Sequence, residues 1–473
     1  MGYLAEIGYI AAVCAAAHLL HRCLHVPGHI TRKLIHILIG FVFFIQYHFF
    51  REDVAGLLIV PAAVTLGLFL VARLRLLPSM VNPDNPYGIF YYALSILLSN
   101  VVAILYPPYH AAAGAAILCL AFGDGAAALL ASLLPRRHRL IGEKSVEGSL
   151  FCLLFSYLGM WLVTLAFPSL SLPPLLLPFL ALLTVLLELF TGRYDNPAIV
   201  LGVGVAALLL QTAEEALLLR LLIGLVVGIG ILFLSVWRRM LTLPAALTAL
   251  GMLLLILALG GWIPAAYILL LYTLCALLHA IGRRHNARHT EGARRLRQVA
   301  ANGLVGALSL LLYGTVGGVP FLIAYYAAIC EFVADTAASD IGTLIPRDPV
   351  DICRLRRVPR GRSGGVSAVG TLAALLTSLL GGALSLLGGL TLTEGITVAA
   401  AAFLGVLFDS VLGSLFQGKY RCSVCGKETE SAYHCNTPAI RTEGFARLDN
   451  TRVNLLSTLF SAIVAALAAW LLL

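Results

Sequence analysis

Charge is scarce in this 473-residue chain: 12% of its residues are Asp, Glu, Lys or Arg, and only 23 are acidic. A soluble globular domain carries about a quarter charged residues. The low content, beside 60% hydrophobic residues, excludes that class. No leader is expected either. The first apolar stretch follows Glu6 instead of a basic region, has no clear cleavage site and is not Arg/Ser-rich. Glu6 also stands where a myristoylation signal needs Ser or Thr. Cysteines are mostly unpaired in the sequence. Cys14, Cys23, Cys119, Cys152, Cys275 and Cys330 lie singly in apolar stretches and Cys353 in a basic loop, a pattern that gives no disulfide framework.

What the chain has is apolar stretches of about 20 residues, the length that spans a bilayer. They recur from the first residues to Leu473. The expected fold is therefore an all-α, polytopic integral membrane protein with about fifteen transmembrane segments. The formal charge of +9 does not indicate a nucleic-acid partner, because the basic residues sit in short loops between spans. Rich loops (Arg32-Lys33, Arg73 to Arg75, Arg136 to Lys144, Arg238-Arg239, Arg283 to Arg297, Arg347 to Arg362, Lys419 to Arg452) alternate with poor ones. The polar motifs described next all border rich loops, so the candidate sites are expected to face the cytosol of a bacterial or archaeal plasma membrane.

One polar constellation occurs twice, with a period of about 210 residues. The first copy has F-G-D-G-A-A around Asp124, E-K-S-V-E-G-S around Glu147, and Asp195-Asn196. The second has V-A-D-T-A-A-S around Asp335, R-S-G-G-V-S around Gly364, F-D-S-V-L-G-S around Asp409, and Asp449-Asn450. Carboxylates in membrane segments are costly, so a repeated set points to chemistry. Two modules are expected, 1–240 and 241–473, in parallel orientation, since both must face one side.

In the first module, Asp124 lies between two glycines that permit close approach of a ligand or another backbone. Lys144 precedes a Gly/Ser-rich helix start, Gly148-Ser149, where free N–H groups suit a phosphate. Arg32, Lys33 and His36 lie about one helical turn apart. Carboxylates, cations and a helix start are what a Mg²⁺–nucleotide phosphate needs, with Asp124 as a metal ligand. Capping, topogenic charge and an ordinary cytosolic loop are the competing structural explanations, strongest for His138.

In the second module, Glu331, Asp335 and Ser339 share one helix face, which suits Mg²⁺ ligation by Glu331 and Asp335. Arg362, Ser363, Gly364, Gly365 and Ser367 form a second phosphate-type helix start. Asp409 lies inside an apolar segment, and Asn450 and Asn454 begin the last one. Capping is an equal reading for Ser367 and Asn454. In the 420–445 loop, Cys422, Cys425, His434 and Cys435 suit tetrahedral Zn²⁺. His434 and Cys435 are adjacent, so both can bind only around a sharp turn; a free-thiol loop is the alternative.

The motifs R-K-L-I-H, F-G-D-G-A-A, G-E-K-S-V-E-G-S and E-L-F-x-G-x-x-D-N, over residues 30–200, resemble those of the CTP-dependent isoprenoid-alcohol kinases, the phytol and dolichol kinases among them. Phosphatidate cytidylyltransferases share part of this pattern, but their C-terminal signature is missing. Residues 240–473 resemble the membrane family that includes plant phytyl-phosphate kinase. They do so through R-Q-V-A-A-N-G, E-F-V-A-D-T-A-A-S-D-I-G, R-V-P-R-G-R-S-G-G-V-S and L-D-N-T-R-V-N. Ala338 and Arg354 to Arg357 depart from that pattern. These resemblances imply a fusion of two kinases. The first would phosphorylate a prenol from CTP, using Asp124, Lys144, Glu147, Gly148, Asp195 and Asn196. The second would carry the monophosphate to the diphosphate, using Asp335 and Asp409. A CDP-lipid-forming cytidylyltransferase and a lipid transporter or flippase are the alternative readings.

Overall fold

The computed structural model describes residues 1–74, 87–141, 144–285, 295–344, 348–426, 428–430 and 433–472. Arg75, Gly142, Glu143, Arg347 and positions 286–294 of the basic loops named above lie outside the described residues. The chain divides into two compact units, Met1–Leu222 and Ile223–Leu473.

The fold is helical, as an apolar chain in lipid must be: a helix satisfies its own backbone hydrogen bonds where no water can. Unit 1 contains α1 (Gly2–Cys23), α2 (Gly28–Ile39), α3 (Val42–Phe50), α4 (Val54–Leu74), α5 (Gly88–Leu105), α6 (His110–Leu118), α7 (Gly125–Leu133), α8 (Val146–Ala166), α9 (Leu176–Phe190) and α10 (Asp195–Leu210). The division falls inside α11 (Glu215–Trp237). Unit 2 continues with α12 (Leu243–Leu259), α13 (Trp262–His285), α14 (Leu296–Val316), α15 (Val319–Gly342), α16 (Ala368–Ser385), α17 (Leu392–Leu415) and α18 (Asn450–Leu472). Among the described residues, 12 helical spans are long and apolar enough to cross a membrane. The expectation is about fifteen; in this count α2 and α3 make one span, α6 and α7 make another, and four further apolar helices are described over 10–17 residues.

Each unit has one span more buried than the rest. In unit 1 it is Pro107–Leu133 and in unit 2 Val319–Gly342, each with 67% of its apolar window buried. Small residues permit this. In unit 2, Ala334, Ala374 and Val406 bring α15, α16 and α17 together, and Val305, Ala328 and Ala462 do the same for α14, α15 and α18. In unit 1 the span opens into a π-helical turn, Cys119–Asp124, between α6 and α7. Such turns are rare and cluster at functional sites.

The same local device precedes a helix in each unit. In unit 1, Arg139–Ile141 pairs antiparallel with Lys144–Ser145, and Ser145 caps α8 by accepting from the Gly148 N–H at 3.1 Å. In unit 2, Val350–Asp351 pairs with Gly365–Val366, and Ser367 caps α16 by accepting from the Gly370 N–H at 3.1 Å. Between α17 and α18, strands Lys419–Arg421, Glu428–Thr429 and Ile440–Glu443 form a three-stranded sheet beside the hairpin Tyr433–His434/Thr437–Pro438.

Close helix packing makes specific glycines irreplaceable. A Cβ on Gly159 of α8 would lie 3.0 Å from the Leu118 carbonyl oxygen, whereas one on Gly67 of α4 would meet nothing within 4 Å. Gly159→Val is expected to destabilise the protein by about 1–3 kcal/mol. Thermal melting in detergent should show a lowered midpoint for Gly159→Val and little change for Gly67→Val.

Candidate active sites and a candidate metal centre

In unit 1, Asp124 ends the π-helical turn and is 5% exposed. Lys33 of α2 donates to its Oδ2 at 2.8 Å, and His36 Nε2, one turn on, lies 3.4 Å from the same oxygen. Tyr92 of α5 donates to the His36 carbonyl at 2.8 Å, and its ring packs on the imidazole at 4.2 Å. Asp124, Lys33 and His36 line a cavity of about 380 Å³ with Arg32, Asp195 and Asn196. Asn196 Nδ2 also donates to the Gly88 carbonyl at 3.0 Å, tying the start of α10 to α5. The rest of the wall is mainly Ile, Val and Leu from α1 to α5. One charged end and an apolar body suit an amphiphile with a reactive head and a hydrocarbon tail.

Lys144 forms an ion pair with Glu188 of α9. Burial pulls the Lys144 ammonium down, but Glu188, Asp124 and Asp195 push it up, and the net direction is upward. It therefore stays charged at neutral pH. Glu147, by contrast, accepts from the His138 backbone N–H at 3.1 Å and from its ring Nδ1 at 2.6 Å, on the exposed loop. Neither Glu147 nor Gly148 nor Ser149 lines the cavity. The Gly148 N–H is taken by the Ser145 cap, and the Ser149 hydroxyl donates to the Ser145 carbonyl at 3.1 Å. The glycines flanking Asp124 serve helix packing: a Cβ on Gly123 would overlap Ser156 Oγ, and one on Gly125 would overlap Ile37 of α2. Glu188 opens the E-L-F-x-G-x-x-D-N motif. Nothing local marks it as the partner of Lys144, 44 residues away.

In unit 2, one cavity of about 290 Å³ gathers Asp335, Asp409, Arg362, Ser363, Gly364, Gly365, Ser367, Asn450 and Asn454. Glu331 does not line it. It is buried at 1% exposure, within electrostatic reach of Asp335 and Asp409, and its Oε1 has no hydrogen-bond partner among the described residues. Asp409 accepts from Ser457 of α18 at 3.2 Å. Asp449 is outside the cavity and caps α18 by accepting from the Arg452 N–H at 3.0 Å. Gly364 is left-handed at φ +85°, and a Cβ there would lie 2.5 Å from the Ser414 backbone of α17. Its glycine is thus required by helix contact as well as by conformation. Asn302 and Phe332 line both this polar cavity and an adjoining apolar one of about 120 Å³.

Two acids of unit 2 escaped the sequence reading. Asp351 is 1% exposed and accepts from the Cys353 and Arg354 N–H groups at 3.1 and 2.9 Å and from the Ser414 hydroxyl at 2.6 Å. Burial raises its pKa, but these bonds outweigh it and hold the carboxyl below the ordinary range. Glu430 accepts from the Ser363 N–H at 3.1 Å and from its hydroxyl, and from Gln417 Nε2 at 2.8 Å.

Cys422, Cys425, His434 and Cys435 converge, with one ligand atom of each within 4.8 Å of every other. His434 Nδ1 is 3.4 Å from Cys425 Sγ and 3.3 Å from Cys435 Sγ. Such separations match a tetrahedron with metal–sulfur bonds of about 2.3 Å and metal–nitrogen bonds of about 2.0 Å. The sharp turn needed by adjacent ligands is present: Cys435 and Asn436 are left-handed, at φ 50° and 58°. Backbone N–H groups of Cys425 and Val424, with the His434 ring, hold the Cys422 thiol down at about 6, favouring the thiolate that binds metal.

The Lys144–Glu188 pair is mostly buried, with side chains 31% and 6% exposed. Lys144→Met strands a buried carboxylate and is expected to cost about 2 kcal/mol of stability. The double variant Lys144→Met/Glu188→Leu should recover most of that loss in thermal melts.

The family model described as integral membrane protein DUF92 matches residues 226–462. A phytol kinase of Synechocystis is 38% identical over 165 residues, covering 34% of this chain and 68% of the relative. Protein VTE6, chloroplastic, of Arabidopsis thaliana is 29% identical over 187 residues, covering 38% of this chain and 49% of the relative, so the chain spans about half of that protein's length. An uncharacterized membrane protein of Methanocaldococcus jannaschii is 32% identical over 162 residues, 32% of this chain and 66% of its own. No solved structure matches at comparable significance. Its match over residues 226–462 means that the chain belongs to the integral membrane protein family DUF92.

Proposed function

We propose that the protein is a bifunctional isoprenoid-alcohol salvage kinase. Unit 1 phosphorylates a membrane-embedded prenol of the phytol, geranylgeraniol or farnesol class from CTP. Unit 2 converts the prenyl monophosphate to the diphosphate, and both act from the cytosolic face. The likeness to a phytol kinase supports the class. The observation that carries the assignment is Asp124: a carboxylate on the most buried span of its unit, paired with Lys33 and lining a cavity whose body is mainly apolar. Asp124 is suited to orient the prenol hydroxyl, and Lys33, Arg32 and Lys144 to neutralise phosphate charge. In unit 2, Asp335 and Asp409 take the acidic role, and Arg362 with the Ser363–Ser367 turn takes the phosphate.

Mg²⁺ fits these donors as a partner of substrate phosphate. No carboxylate cage appears among the described residues, and Mg²⁺ is usually held by one or two carboxylates plus phosphate oxygens. Asp124 would hold it in unit 1, and Asp335, with Glu331 behind it, in unit 2. When bound, it would offset the charge of the transferring phosphoryl group. The Cys/His cluster is proposed as a structural Zn²⁺ site, which its closed four-ligand set suits.

Purified protein in liposomes, given labelled CTP and prenol, should form monophosphate and then diphosphate, separable by thin-layer chromatography. Asp124→Asn should lose the first step by at least about 100-fold while still converting supplied prenyl monophosphate. Glu147→Gln should lose less than about tenfold. Asp335→Asn should make monophosphate accumulate. Release of pyrophosphate in place of CDP would assign a cytidylyltransferase instead, and loss of both steps in Asp335→Asn would merge the two sites into one.

Elemental analysis of the purified protein should find about one zinc per chain. Cys425→Ser should abolish it and lower the melting temperature; absence of zinc from unmutated protein purified without chelator would leave the free-thiol reading.

A further inference from the structure

The cavity of unit 1 holds a second polar group, remote from Asp124. Glu6 of α1 is fully buried. Its Oε1 accepts from Gln46 Nε2 at 2.6 Å. Gln46 Oε1 accepts in turn from Asn100 Nδ2 at 3.1 Å, and Asn100 also donates to the Leu57 carbonyl at 3.0 Å. Glu6 and Gln46 line the same cavity as Lys33, His36 and Asp124. Gln46 lies ten residues beyond His36 on the Gly28–Phe50 span, about 15 Å along a helix. The wall in between is apolar, with Ile10, Ile39, Val42, Val60, Val64 and Ile96. Glu6 Oε2 has no hydrogen-bond partner among the described residues.

A buried polar oxygen without a donor is costly. A prenyl tail has no donor to offer. A tail that ends short of Glu6 meets only hydrocarbon, whereas one that reaches it presses methyl groups on the open carboxyl oxygen. The cluster cannot easily swing away, because Gln46 and Asn100 anchor it to α3, α5 and the α4 backbone. We infer that Glu6, held by Gln46 and Asn100, is the length gauge of this cavity and sets the longest prenol that unit 1 accepts. The inference rests on the prenol reading of unit 1, and it makes Glu6 a specificity-determining residue remote from the phosphoryl chemistry.

The test uses full-length protein in liposomes, with prenols of increasing isoprene number at equal mole fraction. The unmutated protein should show a fall in kcat/KM beyond one length. In Glu6→Leu the ratio of long- to short-prenol kcat/KM should rise about tenfold, the scale of one relieved buried polar group. Glu6→Gln keeps a polar end and should keep the original ratio. A purely structural role would lower all lengths together and leave the ratio fixed, and that result in a folded Glu6→Leu protein overturns the proposal. Should Glu6→Leu fail to fold, Ile10→Trp fills the cavity one turn from Glu6 and should move the cut-off to shorter prenols; an unmoved cut-off overturns the proposal.

A prenol carrying a diazirine at its tail tip reads binding without turnover. Adducts at Glu6 or Gln46 by mass spectrometry are expected. Such adducts without phosphorylation would keep the gauge and remove the kinase reading. Phosphorylation with adducts elsewhere would remove the gauge and keep the kinase.

Discussion

A carboxylate inside a membrane span must be matched, and the match between Asp124 and Lys33 organises unit 1. Asp124 sits on the span that its neighbours bury most. An unpaired charge there would cost several kcal/mol. Lys33 supplies the counter-charge from α2 and His36 a second polar contact, which obliges α2 to pack against the π-helical turn. Gly125 permits that contact by leaving room for Ile37. The ion pair, the glycine and the widened turn are thus one solution to one electrostatic problem. The cavity lies beside them because α1 to α5 line what that junction leaves open.

Unit 2 solves a related problem with a different balance. Its most buried span carries Glu331 and Asp335, with Asp409 approaching from α17. Here acids gather on acids, and the cations, Arg360 and Arg362, stand on the loop that closes the cavity. An acid cluster with basic groups at its rim is unfavourable by itself and favourable around a cation–phosphate pair. Unit 1 pairs its buried aspartate with a cation of a neighbouring helix, whereas in unit 2 Arg362 pairs with Glu428 and Glu443 of the small sheet.

The small sheet and the Cys/His cluster bear on the second site through Glu430 and Glu443. Glu443 bonds Arg354 at 2.8 Å and Arg362 at 2.9 Å, and Glu430 bonds Ser363 and Gln417. A metal clamp on Cys425 and His434 would limit the freedom of the segment that carries Glu430 between them. Such a clamp would hold a short polar lobe that has little apolar surface of its own to bury.

The sequence by itself determined the membrane class, the helical content, the intramembrane Asp124 and the capped helix starts. Each depends on composition or on residues within a turn of one another. Ser145 with Gly148 and Ser367 with Gly370 are legible because a cap reaches three residues. Cys422-x-x-Cys425 with His434-Cys435 was legible as metal chemistry, although only the left-handed backbone at Cys435 and Asn436 reconciles the adjacent ligands. Tertiary structure alone decided which acid meets which base. Glu188, not Glu147, pairs with Lys144, and Glu430 finds Ser363 across 67 residues. It also decided that Gly123 and Gly125 serve helix packing. The reason is physical: local propensity acts over a few residues, whereas the partner of a charge in a helical bundle is set by which faces pack, and apolar faces of similar composition leave that choice to the fit of side chains.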